Sequence, residues 1–598
     1  MRIRQGFLLL LAFIAGHSVW GQLPQQQAQQ IDAFANHLLE DWKVPGIGIG
    51  IVQNDKVVYV KGYGQRDLES GAPVTPNTLF AIGSSSKAFT GISVLQQVEE
   101  GAIELDAPVL DYLPEFRMYD DYVTHHLTVR DLLCHRSGLP RHDLSWYGSA
   151  ASRTKLLERL QYLEPSMGFR EAFQYQNLMF MTAGHLVGEV TNSTWEQQVQ
   201  QRIFKPLGME RANFEVGQMA KDADAALPYE QKEDGRVTPM PYRNINAIGP
   251  AGSINASPKE MAAWVLALLN GGNYMGEQVF SGSSVTEVMA PAMTVPGGWG
   301  SALGYDNGEA PVSYGLGWFL SNHKGRKLVA HGGNIDGFSA DVALLPGDSI
   351  GVVVLTNLNG KPVPGILRNY VLDLLTDSEI RDWNGEALKR REKQEEASMS
   401  EEEDVVRQQG TSPSHELQAY TGTFSHPGYD DIVISRKGDS LYLKLVAAPE
   451  LLPLGHYHYD VFYNDDPMLG ETKVQFLTDL DGAVSQIEVK LEPSLPAIAL
   501  DRKPEPKKFT PDELEGYTGT YLVMGVQPVI VKLEGETLKM EVPGQPTYTL
   551  VYESGQKFAL KGLEGYTALF QQNDEDQVYK ITLIQPNGQF SGEKQPED

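Results

Sequence analysis

Near its end the chain repeats itself, and that repeat constrains how everything before it can be divided. Leu417-Gln-Ala-Tyr-Thr-Gly-Thr-Phe424 returns as Leu514-Glu-Gly-Tyr-Thr-Gly-Thr-Tyr521, an offset of 97 residues. At the same offset Ile432-Val-Ile matches Val529-Ile-Val, and Gly438-Asp-Ser-Leu matches Gly535-Glu-Thr-Leu. Both copies are short alternating runs punctuated by turn residues, the pattern of half-buried antiparallel strands. Two copies are too few to stack as a solenoid, so each must close its own core, and a small β-barrel is the expected form. Upstream, residues 382–409 turn sharply polar, with Lys389-Arg-Arg-Glu-Lys-Gln-Glu-Glu and Glu401-Glu-Glu-Asp. Such a run has little apolar face and reads as a helical spacer. The chain therefore divides into a large first domain over 22–380, a charged linker over 381–412, and barrels over 413–503 and 510–598. Its 598 residues exceed what one core normally holds.

Within the first domain, apolar spacing at Ile31, Phe34, Leu38 and Leu39 predicts a helix over 25–42. Two β-rich runs, Gly46–Gln53 and Lys56–Gly62, follow as a hairpin turning at Asn54-Asp55. Residues 217–313 are rich in Gly, Pro, Asn and Ser around one helix at Pro258–Leu269, and suit loops around a cleft. Strands are expected at Tyr314–Leu320, Lys327–Gly332, Phe338–Leu345 and Ile350–Asn357. Strands at both ends with helices between predict an α+β domain whose sheet is completed by its own termini.

The stretch with the clearest chemistry is Thr78-Leu-Phe-Ala-Ile-Gly-Ser84-Ser-Ser-Lys87. A short apolar run ends at Gly83, and apolar residues at Phe89, Ile92, Leu95 and Val98 mark a helix beginning there. Ser84 and Lys87, three residues apart, share one face of its first turn. A lysine whose pKa is lowered by burial or by a neighbouring cation can take the proton of a serine hydroxyl. The same Ser-x-x-Lys spacing recurs at Ser152, Ser321, Ser554 and Ser591, but none of these lies between a strand-like run and a long amphipathic helix.

A formal charge of −28 and a pI near 4.9 argue against nucleic acid or an anionic membrane as partner. Residues 1–21 read as an export signal, with Arg2 and Arg4 before an apolar core at Phe7–Ala15 that is too short to span a bilayer. No integral span is expected after its removal, and the expected location is periplasmic or secreted. The only cysteine, Cys134, permits no internal disulfide and no thiolate metal cluster, and is expected in the core.

Tyr175-Gln-Asn177 offers a second proton carrier with a nearby amide, and His331-Gly332-Gly333-Asn334 follows an apolar run. Each is weak singly. Together, in this order, Ser-x-x-Lys, Tyr-x-Asn and His-x-Gly resemble the serine β-lactamase-related family, also called the S12 peptidases, over residues 25–375. Leu132-Leu-Cys-His-Arg-Ser-Gly-Leu-Pro140, Gly249-Pro-Ala-Gly-Ser253 and Gly315-Leu-Gly-Trp318 look like that family too. The resemblance implies a β-lactamase/transpeptidase-like domain and a serine hydrolase without metal or cofactor. It implies Ser84 as nucleophile, Lys87 as its proton acceptor, and Tyr175 as general base or leaving-group acid. Asn177 would orient substrate, and His331, Gly332 and Gly333 would line the substrate strand, with His331 hydrogen-bonding toward Tyr175. The backbone amides of Ser84 and Asn334 would form the oxyanion hole.

One departure separates the chain from β-lactamases and carboxypeptidases, which carry Lys-Thr-Gly where this chain has His331-Gly-Gly. The His-x-Gly branch is similar to D-aminopeptidases, some endopeptidases and esterases, and its D-aminopeptidase members carry two C-terminal barrels, one of which can narrow substrate choice. The implied substrate is a small peptide, with D-residues, or an ester. An esterase, a β-lactamase or DD-carboxypeptidase, and a non-catalytic cell-wall binding protein are the alternatives.

Overall fold

The computed structural model describes residues 21–297, 311–400, 407–464 and 472–596, except 449, 505–508, 564, 574, 576 and 587. All of the export-signal reading over residues 1–21 but Gly21 lies outside these.

The first helix, Gln25–Trp42, buries Ile31, Ala35, Leu38 and Trp42 along one stripe. Beyond it the hairpin Gly46–Gln53 and Lys56–Asp67 joins strands from the far end of the domain in one nine-stranded sheet. The order is Met293–Thr294, Ser313–Tyr314, Phe319–His323, Arg326–Ile335, Phe338–Leu345, Ile350–Thr356, Gly46–Gln53, Lys56–Asp67, Ala72–Pro73. Neighbouring strands pair antiparallel, with Ile47 opposite Thr356 and His331 opposite Val342. All seven residues of Ile350–Thr356 are buried, as a strand covered on both faces requires. Helices Pro258–Leu269 and Val363–Leu375 both pack on it.

The expected strand over Tyr314–Leu320 is interrupted. Residues 315–318 form a tight turn in which Gly315 N–H donates to the Trp318 carbonyl at 2.8 Å, leaving two short strands, Ser313–Tyr314 and Phe319–His323. The ladder from Phe319–His323 to the next strand ends at Ala330, whereas that next strand runs on to Ile335. Residues 331–335 therefore carry a strand partner on one side only among the described residues.

The polar segment after the first domain is helical over Trp383–Ser400, and its beginning is anchored. Trp383 Nε1 donates to Asp373 at 2.8 Å, and Asn384 Oδ1 accepts from Trp42 Nε1 at 2.8 Å. The two repeats each form a closed eight-stranded barrel, over Gly422–Arg502 and Gly519–Lys594. The repeat is visible in the cores: Tyr420 and Phe424 are buried in one barrel, Tyr517 and Tyr521 at the matching places in the other. The Tyr521 hydroxyl, buried where the first copy has Phe424, donates to the Tyr517 carbonyl at 2.7 Å. The first barrel belongs to the same compact unit as the large domain, and the second forms a unit of its own from Arg502.

Candidate active site

Ser84 lies in a short 3-10 turn, Gly83–Ser85, that leads directly into the helix Ser86–Glu99. Gly83 has φ +51°, and a Cβ there would stand 2.8 Å from the Asn334 amide nitrogen. On the facing strand a Cβ at Gly333 would fall 1.8 Å from the Ile82 carbonyl oxygen and 3.1 Å from the Ser84 amide nitrogen. Glycine at both positions is what lets the serine turn and the strand touch backbone to backbone. This contact brings the amides of Ser84 and Asn334 into one neighbourhood. The Asn334 side chain turns away, its Oδ1 accepting from Ser339 Oγ at 2.8 Å and Gly360 N at 3.0 Å.

Lys87 is fully buried one turn along the helix. Its Nζ lies 3.0 Å from Ser84 Oγ, 2.8 Å from Asn177 Oδ1 and 2.8 Å from the Ala251 carbonyl. The last two partners only accept, so a neutral amine can satisfy them with its two hydrogens and present its lone pair to Ser84. Burial pushes the Lys87 amine well below the usual lysine range; the Arg141 guanidinium pushes the same way and the Asp143 carboxylate opposes.

Tyr175 precedes the helix Asn177–Thr191, whose N-cap is Gln176. Its hydroxyl is hydrogen-bonded to the Ser84 side chain, and Lys87 Nζ sits 4.8 Å from its ring centre. Burial raises the phenol above its ordinary range despite that hydrogen bond and the Arg141 charge, so Tyr175 rests as the neutral phenol. Asn177, whose Oδ1 is taken by Lys87, gives an Nδ2 hydrogen to Asp143 Oδ1 at 3.3 Å.

His331 does not hydrogen-bond toward Tyr175. Its Nε2 lies 2.9 Å from the Tyr314 hydroxyl, and its Nδ1 is 2.6 Å from the Gly332 carbonyl, which can only accept. The proton is therefore on Nδ1, and Tyr314 donates to Nε2. The side chain lies among Tyr175, Tyr314 and Phe319, with the Tyr175 ring centre 6.3 Å away, and burial lowers its pKa to about 3. It is an uncharged wall of the site.

Residues that sequence spacing had not singled out complete the arrangement. His135, fully buried with φ +61°, accepts the Gln176 N–H on Nδ1 at 3.0 Å, and its ring centre lies 4.3 Å from that of Tyr175. Arg141 lies over the Tyr175 ring at 5.2 Å and donates to Asp143 at 2.6 Å. The stretch ending at Pro140 had been noted; these charges begin one residue later. Past Asn334, the Tyr147 hydroxyl and Arg243 Nε both donate to Asp336, tying three separate segments together. Cys134 is buried and its thiol is pushed up to about 12, consistent with a core residue. Among the described residues no group of three or more His, Cys, Asp or Glu side chains could hold a metal ion. No described helix is long and apolar enough to cross a membrane.

A fold with this sheet, this serine turn and this buried lysine defines a β-lactamase-type hydrolase. The Beta-lactamase family model matches residues 31–377, and the chain belongs to that family. A second model, a domain of unknown function (DUF3471), matches residues 406–501. Among curated proteins, the chain is 28% identical over 419 residues to the Unguisins hydrolase ungD' of Aspergillus campestris, covering 66% of this chain and 75% of that one. It is 28% identical over 354 residues to Protein flp of Staphylococcus aureus, covering 58% of this chain and 66% of that one. Two solved structures share the fold. The octameric penicillin-binding protein homologue of Pyrococcus abyssi has a TM-score of 0.52 at 23% identity, covering 79% of this chain and all of that one. The D-amino acid amidase of Ochrobactrum anthropi has a TM-score of 0.50 at 19% identity, covering 59% and 99%.

Proposed function

We propose that this protein is an exported serine hydrolase, of the S12 peptidase type, that cleaves amide bonds in small peptides containing D-residues through an acyl-enzyme on Ser84. The observation that carries the reading is the Lys87 amine, buried, held by two carbonyl acceptors and aimed at Ser84 Oγ. In this mechanism Lys87 takes the hydroxyl proton as Ser84 Oγ adds to the substrate carbonyl. The Ser84 and Asn334 amides hold the resulting oxyanion. Tyr175, protonated at rest, donates to the departing nitrogen, and the proton that Lys87 took from Ser84 restores the phenol. Water then repeats the sequence on the ester.

The neutral His331 supports a peptidase or esterase over a β-lactamase or DD-carboxypeptidase, because no cation stands at that position to pair with a substrate carboxylate. The names of two similar proteins support hydrolysis of D-aminoacyl amides: one is called a hydrolase, and one structural neighbour a D-amino acid amidase. A panel of D- and L-aminoacyl p-nitroanilides, p-nitrophenyl esters and nitrocefin tests the assignment. Preferential turnover of D-aminoacyl amides is expected; turnover of nitrocefin alone would overturn it.

A further inference from the structure

The first barrel, over which a domain of unknown function matches, holds a short segment of the large domain. That segment is residues 140–145. His142 at its centre is buried and held in a left-handed conformation, φ +46°. Its backbone N–H donates to Glu492 Oε2 of the barrel at 2.8 Å. Its Nε2 faces the Glu164 carbonyl at 2.8 Å, which can only accept, so Nδ1 is the acceptor for the Tyr429 hydroxyl of the barrel at 2.6 Å. Two of the four hydrogen bonds of this residue thus end on the barrel, the fourth running from the Ser145 N–H to the His142 carbonyl. Glu492 is itself buried, its other oxygen accepting from the amide and hydroxyl of Ser494. A second tie lies alongside, where Arg159 donates both to the Ser145 carbonyl and, at 2.6 Å, to Asp430 of the barrel.

The residues on either side of His142 are the two charges of the candidate active site. Arg141 covers Tyr175, and Asp143 holds Asn177, which holds Lys87. A continuous path therefore runs from Glu492 through the His142 backbone, Asp143 and Asn177 to the lysine amine.

We propose that the first barrel is a clamp that positions the 140–145 segment, and that Tyr429 and Glu492 are positioning residues for Lys87 and Tyr175. The barrel is then a working part of the hydrolase rather than a separate ligand-binding module. This rests on Ser84 and Lys87 acting as proposed above. The groups facing Lys87 are Tyr175 and His135 on one side, His331 on the strand, and Arg141 with Asp143. Burial lowers the lysine first and keeps both histidines neutral, so the charges that act on it besides burial are those of Arg141 and Asp143, on either side of the residue the barrel holds.

The test is the rate of Ser84 acylation by a fluorophosphonate, followed from pH 5 to 10 on the full chain. Glu492→Ala and Tyr429→Phe are each expected to slow acylation about tenfold and to move the midpoint of its rise with pH. Glu492→Gln keeps an oxygen acceptor for the His142 N–H and should recover most of the rate. If Glu492→Ala does not fold, Tyr429→Phe, which removes one oxygen atom, carries the test. Unchanged rates and midpoints in both variants would overturn the clamp, as would a change in KM for one substrate class with the midpoint unmoved. Labelling that survives Ser84→Ala would instead reject the serine reading beneath it.

Discussion

Lys87 and Ser84 meet at 3.0 Å within one helical turn, and the lysine has no exposure to solvent. Its depressed pKa gives the hydrolysis a sign with pH. The active form is the neutral amine, so kcat/KM should rise as pH passes through the lysine's pKa. It should level off well below the ordinary lysine value of ~10.4. A rate still climbing at pH 10 contradicts a buried lysine base.

Tyr175 titrates above an ordinary phenol, so its ionisation should produce no descending limb below about pH 10. Replacing it with Phe removes the proton donor while keeping the ring beside His135 and Lys87. Turnover of amides should fall by ~10²–10⁴, chiefly in kcat. Esters with good leaving groups should lose much less. Equal losses on anilides and activated esters would assign Tyr175 a different role.

Three buried histidines make the fold acid-sensitive. His135, His142 and His331 all have pKa values below the unfolded value of ~6.5, so below that pH the unfolded chain binds protons that the native one refuses. Stability is full above pH 6.5 and is lost as pH falls below it, by up to about 1.4 kcal/mol per histidine per pH unit. The melting temperature should decline between pH 7 and 5, before most carboxylates titrate. A flat Tm across that range contradicts neutral burial.

Gly333→Ala adds one methyl where the Ile82 carbonyl already stands. Either the serine turn or the strand must shift, separating the Ser84 and Asn334 amides. The variant should fold and lose at least ~10²-fold in kcat, the cost typical of losing one oxyanion donor. Wild-type kcat would show that these two amides do not act together.

Much of this was legible in local pattern. Alternation and turns are properties of neighbouring residues, so the two barrels could be read from the 97-residue repeat. Ser84 and Lys87 are brought together by helical spacing alone. What escaped depends on chain segments far apart. Tyr314 takes the His331 hydrogen bond expected for Tyr175 because the tight turn at 315–318 sets it beside the next strand. Arg141 and Asp143 gain their roles only where a loop crosses Tyr175 and Asn177, and Glu492 reaches His142 across 350 positions. The polar run after the first domain hides Trp383 and Asn384, two residues whose burial no charge pattern could reveal.

The central claim is that one hydroxyl, on Ser84, carries the acyl group. Intact-mass and peptide mapping after reaction with a fluorophosphonate tests it most directly. The account predicts a single adduct on the peptide containing Ser84, absent in Ser84→Ala and strongly slowed in Lys87→Ala. An adduct on another residue, or undiminished labelling of Ser84→Ala, would contradict it.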